Sequence, residues 1–159
     1  MRAVVQRVSW AEVEVGGRIL GRIERGLLVY VGVSPADTEA DSRRLAEKIA
    51  GLRIFPDEAG KLNLSVRDAA GGVLAIPNFT LLADARKGRR PTFEGAAPQA
   101  AAQPLYQAFA EAIRLQGCIT ESGVFGAEMQ IRSQADGPVN IIVDMPPQAG
   151  GVRPADRED

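Results

Sequence analysis

The chain has 159 residues, a length that fits one domain with a substantial core. It contains no histidine and one cysteine, which excludes a Ser-His-Asp triad, a histidine-ligated metal, an intrachain disulfide and a cysteine-rich zinc site. Its 19 basic and 20 acidic residues nearly cancel, so the overall charge gives no sign of a nucleic-acid partner.

The first third of the chain predicts β-strands. Ala3–Val8 is rich in valine. Glu12–Val15 alternates between polar and apolar residues, and Arg18–Ile23 follows after two glycines, so these two segments predict a hairpin. Leu27–Val33 is a continuous apolar run, which is typical of a strand buried on both faces.

Two helices are predicted further along the chain. Thr38–Leu52 has apolar residues at i, i+4 and i+7 from Leu45, and its first residue has the spacing of a capping box with Asp41. A second amphipathic helix is predicted with Pro104 in its first turn and Gly117 as its end.

The remaining segments are short strands and loops. The apolar segment Val73–Ile76 predicts a strand that Pro77 terminates, and an irregular stretch follows from Asn78 to about Gln103. Near the end of the chain we predict a strand, a turn, a last strand and a disordered tail: Phe125–Ser133, Asp136–Pro138, Val139–Asp144 and residues 146–159.

Two helices among many strands, without a regular βαβ alternation, predict an α+β fold. We expect a mixed, largely antiparallel sheet that curls toward a barrel, in a single domain over residues 1–145. The N-terminal segment lacks the apolar core of a signal peptide, and no apolar run is long enough to span a bilayer. We therefore expect a cytoplasmic protein with no membrane partner.

A basic run is the first candidate functional segment. Four cations stand within five positions, beside a glycine and a proline: Arg86, Lys87, Arg89 and Arg90. Such an exposed loop is suited to holding phosphates, and the alternative interpretation is a solvated charged loop.

The segment Asn78-Phe79-Thr80 follows directly on the predicted strand that ends at Pro77. A strand end that enters an irregular loop leaves backbone N–H groups free, and free N–H groups can form an oxyanion hole without an ionisable side chain. The alternative is a plain strand exit with Phe79 in the core.

Two glycine-containing segments are the other candidates. Gly137-Pro138 would present two fixed carbonyl acceptors if its peptide bond were cis, and is otherwise a hairpin turn. Gly123–Met129 has paired glycines that permit close backbone approach, and its Phe125 and Met129 would enclose a flat ring unless both belong to the core.

Together these stretches resemble the D-aminoacyl-tRNA deacylases, also called D-tyrosyl-tRNA deacylases. The resemblance runs in order through most of the chain: Met1–Val8, Gly26–Val33, Leu52–Phe55, Gly60–Val66, Phe79–Leu81, Ala83-Asp84, Lys87–Pro91, Phe93, Gly123–Met129 and Asp136–Val139.

The resemblance implies a homodimer with its active site at the subunit interface, which hydrolyses the ester of D-aminoacyl-tRNA and glycyl-tRNA. It implies catalysis by backbone groups and the tRNA 2′-OH, with no metal or other cofactor. Asn78, Phe79 and Thr80 would be catalytic, while Phe125 and Met129 would form the adenosine pocket. The basic run would bind tRNA.

Chiral selection is implied for a Gly-cisPro motif, matched here by Gly137-Pro138, whose carbonyls would enter the partner's pocket. Arg7 matches the arginine that helps to hold this dipeptide in the D-specific enzymes. The family's Ser-Gln-Phe-Thr motif is changed at its first two positions, to Pro77 and Asn78. A proline there is similar to the deacylases that remove L-alanine, so L-alanyl-tRNA specificity and a non-catalytic tRNA-binding role are the alternatives.

Overall fold

The computed structural model describes residues 1–147 of the chain. The predicted tail from residue 146 therefore lies almost wholly outside the described residues. The helices and strands within them, in chain order, are β1 (Arg2–Val15), β2 (Arg18–Ile23), β3 (Gly26–Gly32), α1 (Glu39–Ala50), β4 (Phe55–Pro56), β5 (Leu62–Leu64), β6 (Gly72–Pro77), α2 (Gln99–Leu115), β7 (Ile119–Ser122) and β8 (Gln130–Asp144). A short 3-10 helix, Phe79–Leu82, lies between β6 and α2.

Six strands form one mixed sheet. Five follow the order β2–β1–β3–β6–β7, and β8 pairs with β1. The pairs that involve β1 are antiparallel, whereas β3–β6 and β6–β7 are parallel. Strands β2 and β7 approach each other closely, since a Cβ atom at Gly21 would lie 3.1 Å from the Cβ of Glu121. The sheet is thus nearly closed, and the predicted α+β fold with a barrel-like sheet and two main helices is confirmed.

Strand β1 is longer than the sequence predicts. Ala3–Val8 and Glu12–Val15 belong to one 14-residue strand rather than to two segments. The continuity has a structural cause: β8 pairs with β1 from Arg2 to Glu14, while β3 and β2 cover the first and second halves of its other edge. The predicted hairpin between β1 and β2 is confirmed.

The core has two parts, one on each face of the curled sheet. One lies between the sheet and the two helices, and it includes Val29 and Phe109. The other lies inside the curl, and it includes Leu28 and Leu74. Because Leu28 and Val29 are consecutive and both are buried, the prediction that β3 is buried on both faces is confirmed.

The first helix begins as predicted, while the second begins earlier. Thr38 caps α1, and its capping box with Asp41 is formed. Helix α2 starts at Gln99, with the carbonyl of Pro98 accepting the Ala102 N–H at 2.9 Å, so Pro104 lies inside the helix and not in its first turn. The prediction was wrong because the alanine-rich residues before Pro104 have high helix propensity and extend the helix backwards.

The C-terminal strands also differ from the prediction. Phe125–Met129 is not a strand, and β8 runs unbroken from Gln130 to Asp144. The predicted turn at Gly137-Pro138 is a bulge within β8, because the register passes from Ala135, opposite Val8, to Asn140, opposite Gln6. Strand β7 was not predicted, since its four residues contain no apolar run or clear alternation.

Candidate active site

The exit of β6 brings Asn78 and Thr80 together. The Asn78 N–H still donates to the Val31 carbonyl of β3 at 2.8 Å, so this end of the strand is held in the sheet. The Asn78 side chain caps the 3-10 helix, with its Oδ1 atom accepting from the Thr80 N–H at 3.1 Å and from the Thr80 hydroxyl. The Thr80 amide is therefore occupied by Asn78.

Phe79 lies on the surface rather than in the core. Its side chain is 55% exposed, and its ring meets the edge of Phe93 with 5.2 Å between the ring centroids. As the first residue of the 3-10 helix, Phe79 has a backbone N–H with no acceptor within that helix. The alternative interpretation placed Phe79 in the core, and that placement is wrong.

A cavity of about 400 Å³ opens beside this segment. Its size falls within the range of small-molecule sites. Its walls come from four parts of the fold, namely β3, the exit of β6, the start of α2 and the loop after β7: Val31, Val33, Pro77, Asn78, Phe79, Ala97, Gln99, Ala102, Phe125 and Gly126. The fold thus brings three of the predicted site residues to one concave surface.

Phe125 and Met129 take different positions. Phe125 lines the cavity, and its ring lies 6.0 Å from that of Tyr106. Met129 instead packs inside the curled sheet and under Gly123, where an added Cβ atom would lie 2.6 Å from the methionine sulfur. Of the two residues predicted to enclose a ring, the structure brings only Phe125 to the cavity wall.

Arg7 holds the bulge that contains Gly137-Pro138. Its buried guanidinium donates from Nη1 to the Ile54 carbonyl at 2.6 Å and from Nε to the Asp136 carbonyl at 3.3 Å. The same Nε lies 3.0 Å from the Asp136 carboxylate. Arg7 thus holds the dipeptide through the residue before it, Asp136, because the guanidinium bridges the bulge to Ile54, the residue before β4.

The Gly137-Pro138 peptide bond is cis, as predicted. Both residues are exposed on the bulge, and neither lines the 400 Å³ cavity of its own chain.

The basic run forms an exposed loop. Its first cation, Arg86, is paired with Asp84, and the hydrogen bonds from Arg86 lower the pKa of the Asp84 carboxyl. Hydrogen bonds in both directions between Asp84 and Thr92, at 2.8 and 2.9 Å, close the base of the loop. Phe93 follows that base and contacts Phe79, so the loop lies next to the cavity-lining segment.

The profile of the D-Tyr-tRNA(Tyr) deacylase family matches residues 4–144. The chain belongs to this family. The match includes every residue that we predicted for the site, from Arg7 to Pro138.

Individual relatives agree with the family profile. The D-aminoacyl-tRNA deacylase of Geobacter metallireducens is 51% identical over 151 residues, covering 95% of this chain and 100% of the relative. That of Koribacter versatilis is 56% identical over 144 residues, covering 91% of this chain and 97% of the relative. Among solved structures, the c-Myc DNA unwinding element binding protein is 40% identical, with a TM-score of 0.86 over 92% of this chain and 99% of that one.

The structure was searched for metal sites and membrane-spanning helices over residues 1–147. In that range no group of three or more histidine, cysteine, aspartate or glutamate residues could hold a metal ion. Nor does the range contain a helix long and apolar enough to cross a membrane.

Sequence reasoning missed Gln99 as a cavity residue of this deacylase fold. Its amide lies against Gly126, where an added Cβ atom would stand 3.0 Å from Nε2, and both residues line the cavity. The available signal was the repeat of glutamines at i, i+4 and i+8 along the second helix, which begins at Gln99.

Proposed function

We propose that the chain hydrolyses the ester between a D-amino acid, or glycine, and the 3′-terminal adenosine of tRNA. A water molecule adds to the ester carbonyl carbon, and the bond to the ribose 3′-oxygen then breaks. That oxygen leaves with a proton, giving free tRNA and free amino acid. The observation that carries the proposal is the Phe79 N–H, which has no acceptor within its 3-10 helix and lies beside a 400 Å³ cavity in a chain of this family.

The Phe79 N–H is the principal oxyanion donor in this proposal. The carbonyl oxygen becomes negative in the tetrahedral intermediate, and a fixed backbone N–H stabilises that charge without reorganisation. The Thr80 N–H contributes only when the Asn78 side chain releases it. The Thr80 hydroxyl points its proton at Asn78, which supports a structural role rather than that of a nucleophile.

Phe125 supplies an aromatic wall for the adenine of the substrate. Adenine is flat, and stacking on an aromatic side chain is a sequence-tolerant way to hold a terminal base. Gln99 also lines the cavity, and its side-chain amide has a donor and an acceptor for the edge of the adenine. Met129 would support this wall from below Gly123 rather than touch the base.

Chiral selection requires a second copy of the chain. Gly137 and Pro138 are exposed and lie away from the walls of their own cavity. We therefore place their carbonyls in the cavity of a partner subunit, where they accept the amino group of a D-substrate and exclude an L-side chain. Arg7 acts as a positioning residue through Asp136.

The tRNA body would be held by the loop with Lys87, Arg89 and Arg90, for which no ion pair is formed within the described residues. Such a loop can contact phosphates of the acceptor stem. We place the reaction in the cytoplasm, together with its tRNA substrate, and without a metal or other cofactor.

L-Alanyl-tRNA specificity is the second candidate, because Pro77 stands where that group of deacylases has proline. A non-catalytic tRNA-binding role is the third. The hydrolysis of D-Tyr-tRNA, Gly-tRNA, L-Tyr-tRNA and L-Ala-tRNA by the purified protein separates all three. We expect loss of label from the first two substrates only. Loss from L-Ala-tRNA but not D-Tyr-tRNA supports the second candidate, and binding without any hydrolysis supports the third.

A further inference from the structure

A row of glutamines leads away from the candidate active site along α2. Gln99, Gln103 and Gln107 stand at i, i+4 and i+8 and therefore share one face of the helix, with about 6 Å of helix rise between neighbours. None of their side-chain amides has a hydrogen-bond partner within residues 1–147, and these amides are thus available to a ligand.

A second cavity, of about 330 Å³, lies along this row. Gln99 lines the first cavity, while Gln103 and Gln107 line the second. Phe125 belongs to the walls of both, so its ring separates two neighbouring spaces. The two cavities are therefore neighbours along one face of α2, and Phe125 lies between them.

The floor of the second cavity is polar and preorganised. Tyr106 is buried and donates its hydroxyl proton to the Ala75 carbonyl at 2.8 Å. The Ser122 hydroxyl is buried beside the Tyr106 phenol and interacts with it. The two hydroxyls are therefore held in place before a ligand arrives.

Arg114 provides a positive charge at the far end of the second cavity. Its side chain is 47% exposed. Nη1 pairs with Glu111 at 3.2 Å and Nη2 donates to the Thr120 carbonyl at 3.5 Å, which leaves part of the guanidinium open to solvent. The cavity thus has an aromatic wall, amides that can both donate and accept, and a cation. A single nucleotide, with its flat base, base edge and phosphate, has the matching features.

We infer that this second cavity binds the nucleotide that precedes the terminal adenosine of tRNA, a cytidine. This inference rests on the proposed function, which places the terminal adenosine in the first cavity. The cytosine base lies on the side of Phe125 opposite the adenine. Gln103 and Gln107 hydrogen-bond its edge, and Arg114 contacts its phosphate.

Substrates of graded length test the assignment. The double variant Gln103→Ala/Gln107→Ala is compared with the unaltered protein on D-Tyr-adenosine, on the D-Tyr ester of the trinucleotide CCA and on D-Tyr-tRNA. Because the variant loses two hydrogen bonds to the base, kcat/KM falls about tenfold or more on the trinucleotide and on tRNA. On D-Tyr-adenosine, which has nothing for the second cavity, kcat/KM stays within about twofold.

Lys48→Ala is the matched control, because it truncates an exposed side chain on the other helix. It leaves the rates on all three substrates unchanged. Equal losses of the double variant on all three substrates, or no loss on any, would overturn the inference.

Binding of the unacylated trinucleotide CCA gives a readout independent of catalysis. By calorimetry, the double variant binds CCA about tenfold more weakly while its affinity for adenosine is unchanged. If the unaltered protein hydrolyses none of the substrates, the proposed function fails, and this comparison still decides the inference: equal CCA affinity for both proteins would refute it.

Discussion

Replacing Arg7 by methionine tests how the bulge in β8 is held. Methionine keeps the apolar stem of the side chain and removes the guanidinium, which joins β1 to both Ile54 and Asp136. The loss leaves the Ile54 carbonyl without its 2.6 Å hydrogen bond in a buried position. It also removes the contacts to the carbonyl and the carboxylate of Asp136.

The magnitude follows from these contacts. A hydrogen bond from a charged donor contributes about 1.5–3 kcal/mol, and the short bond to Ile54 is of this kind. The Asp136 carboxylate is 37% exposed, so its ion pair with Arg7 is partly screened and adds no more than about 1 kcal/mol. We expect the free energy of unfolding to fall by about 3 kcal/mol in Arg7→Met, and by less in Arg7→Lys, which keeps the charge.

Urea denaturation measures the change in stability, with Arg43→Met as the control. Arg43 pairs with Glu39 on the exposed surface of α1, and the loss of such a pair changes the stability by less than about 0.5 kcal/mol. In the same variants, the ratio of D-Tyr-tRNA to L-Tyr-tRNA hydrolysis should fall for Arg7→Met and be partly restored in Arg7→Lys. An Arg7→Met protein as stable and as selective as the Arg43→Met control would refute this account of the bulge.

Three other predictions concern the loop, the catalytic segment and the core. The double variant Arg89→Gln/Arg90→Gln should raise the KM for tRNA, and the slope of log KM plotted against the logarithm of the salt concentration should fall by about 2. An unchanged slope would exclude this loop as the phosphate contact. Thr80→Ala should retain measurable turnover, with or without a chelator, whereas complete loss in a folded, tRNA-binding variant would make the hydroxyl the nucleophile or base. Burial raises the pKa of Tyr106 to about 12, so only the unfolded chain ionises this phenol between its ordinary pKa and that value. The contribution of Tyr106 to stability should therefore be constant below about pH 10 and fall by up to about 1.4 kcal/mol per pH unit from there to about pH 12. Urea denaturation of Tyr106→Phe should lack this component, and an identical alkaline loss in that variant would contradict the assignment.

The elements that could be predicted from the sequence are those whose signal is local. The capping box at Thr38 and the hairpin of β1 and β2 depend on residues a few positions apart, and both formed as predicted. The bulge in β8 depends on its pairing with β1 and on Arg7, which lies more than 120 residues away in the chain. The local sequence therefore predicts only a turn at this position. Tertiary pairing decided its shape.

The candidate site was predictable to a similar extent. The segment at Phe79 was identifiable because an abrupt strand end exposes backbone groups, and Phe125 because aromatic residues between glycines favour a binding surface. The different placement of Met129 was not identifiable, since the direction of each side chain depends on how the loop leaves β7. The role of Gln99 required knowing that α2 begins before Pro104.

Our central proposal is that this chain hydrolyses D-aminoacyl-tRNA and rejects the corresponding L-ester. The most direct test measures the hydrolysis of D-Tyr-tRNA and L-Tyr-tRNA side by side by the purified, unaltered protein. We predict rapid loss of the D-ester and no acceleration over the spontaneous rate for the L-ester. Equal acceleration of both esters, or of neither, would contradict the account.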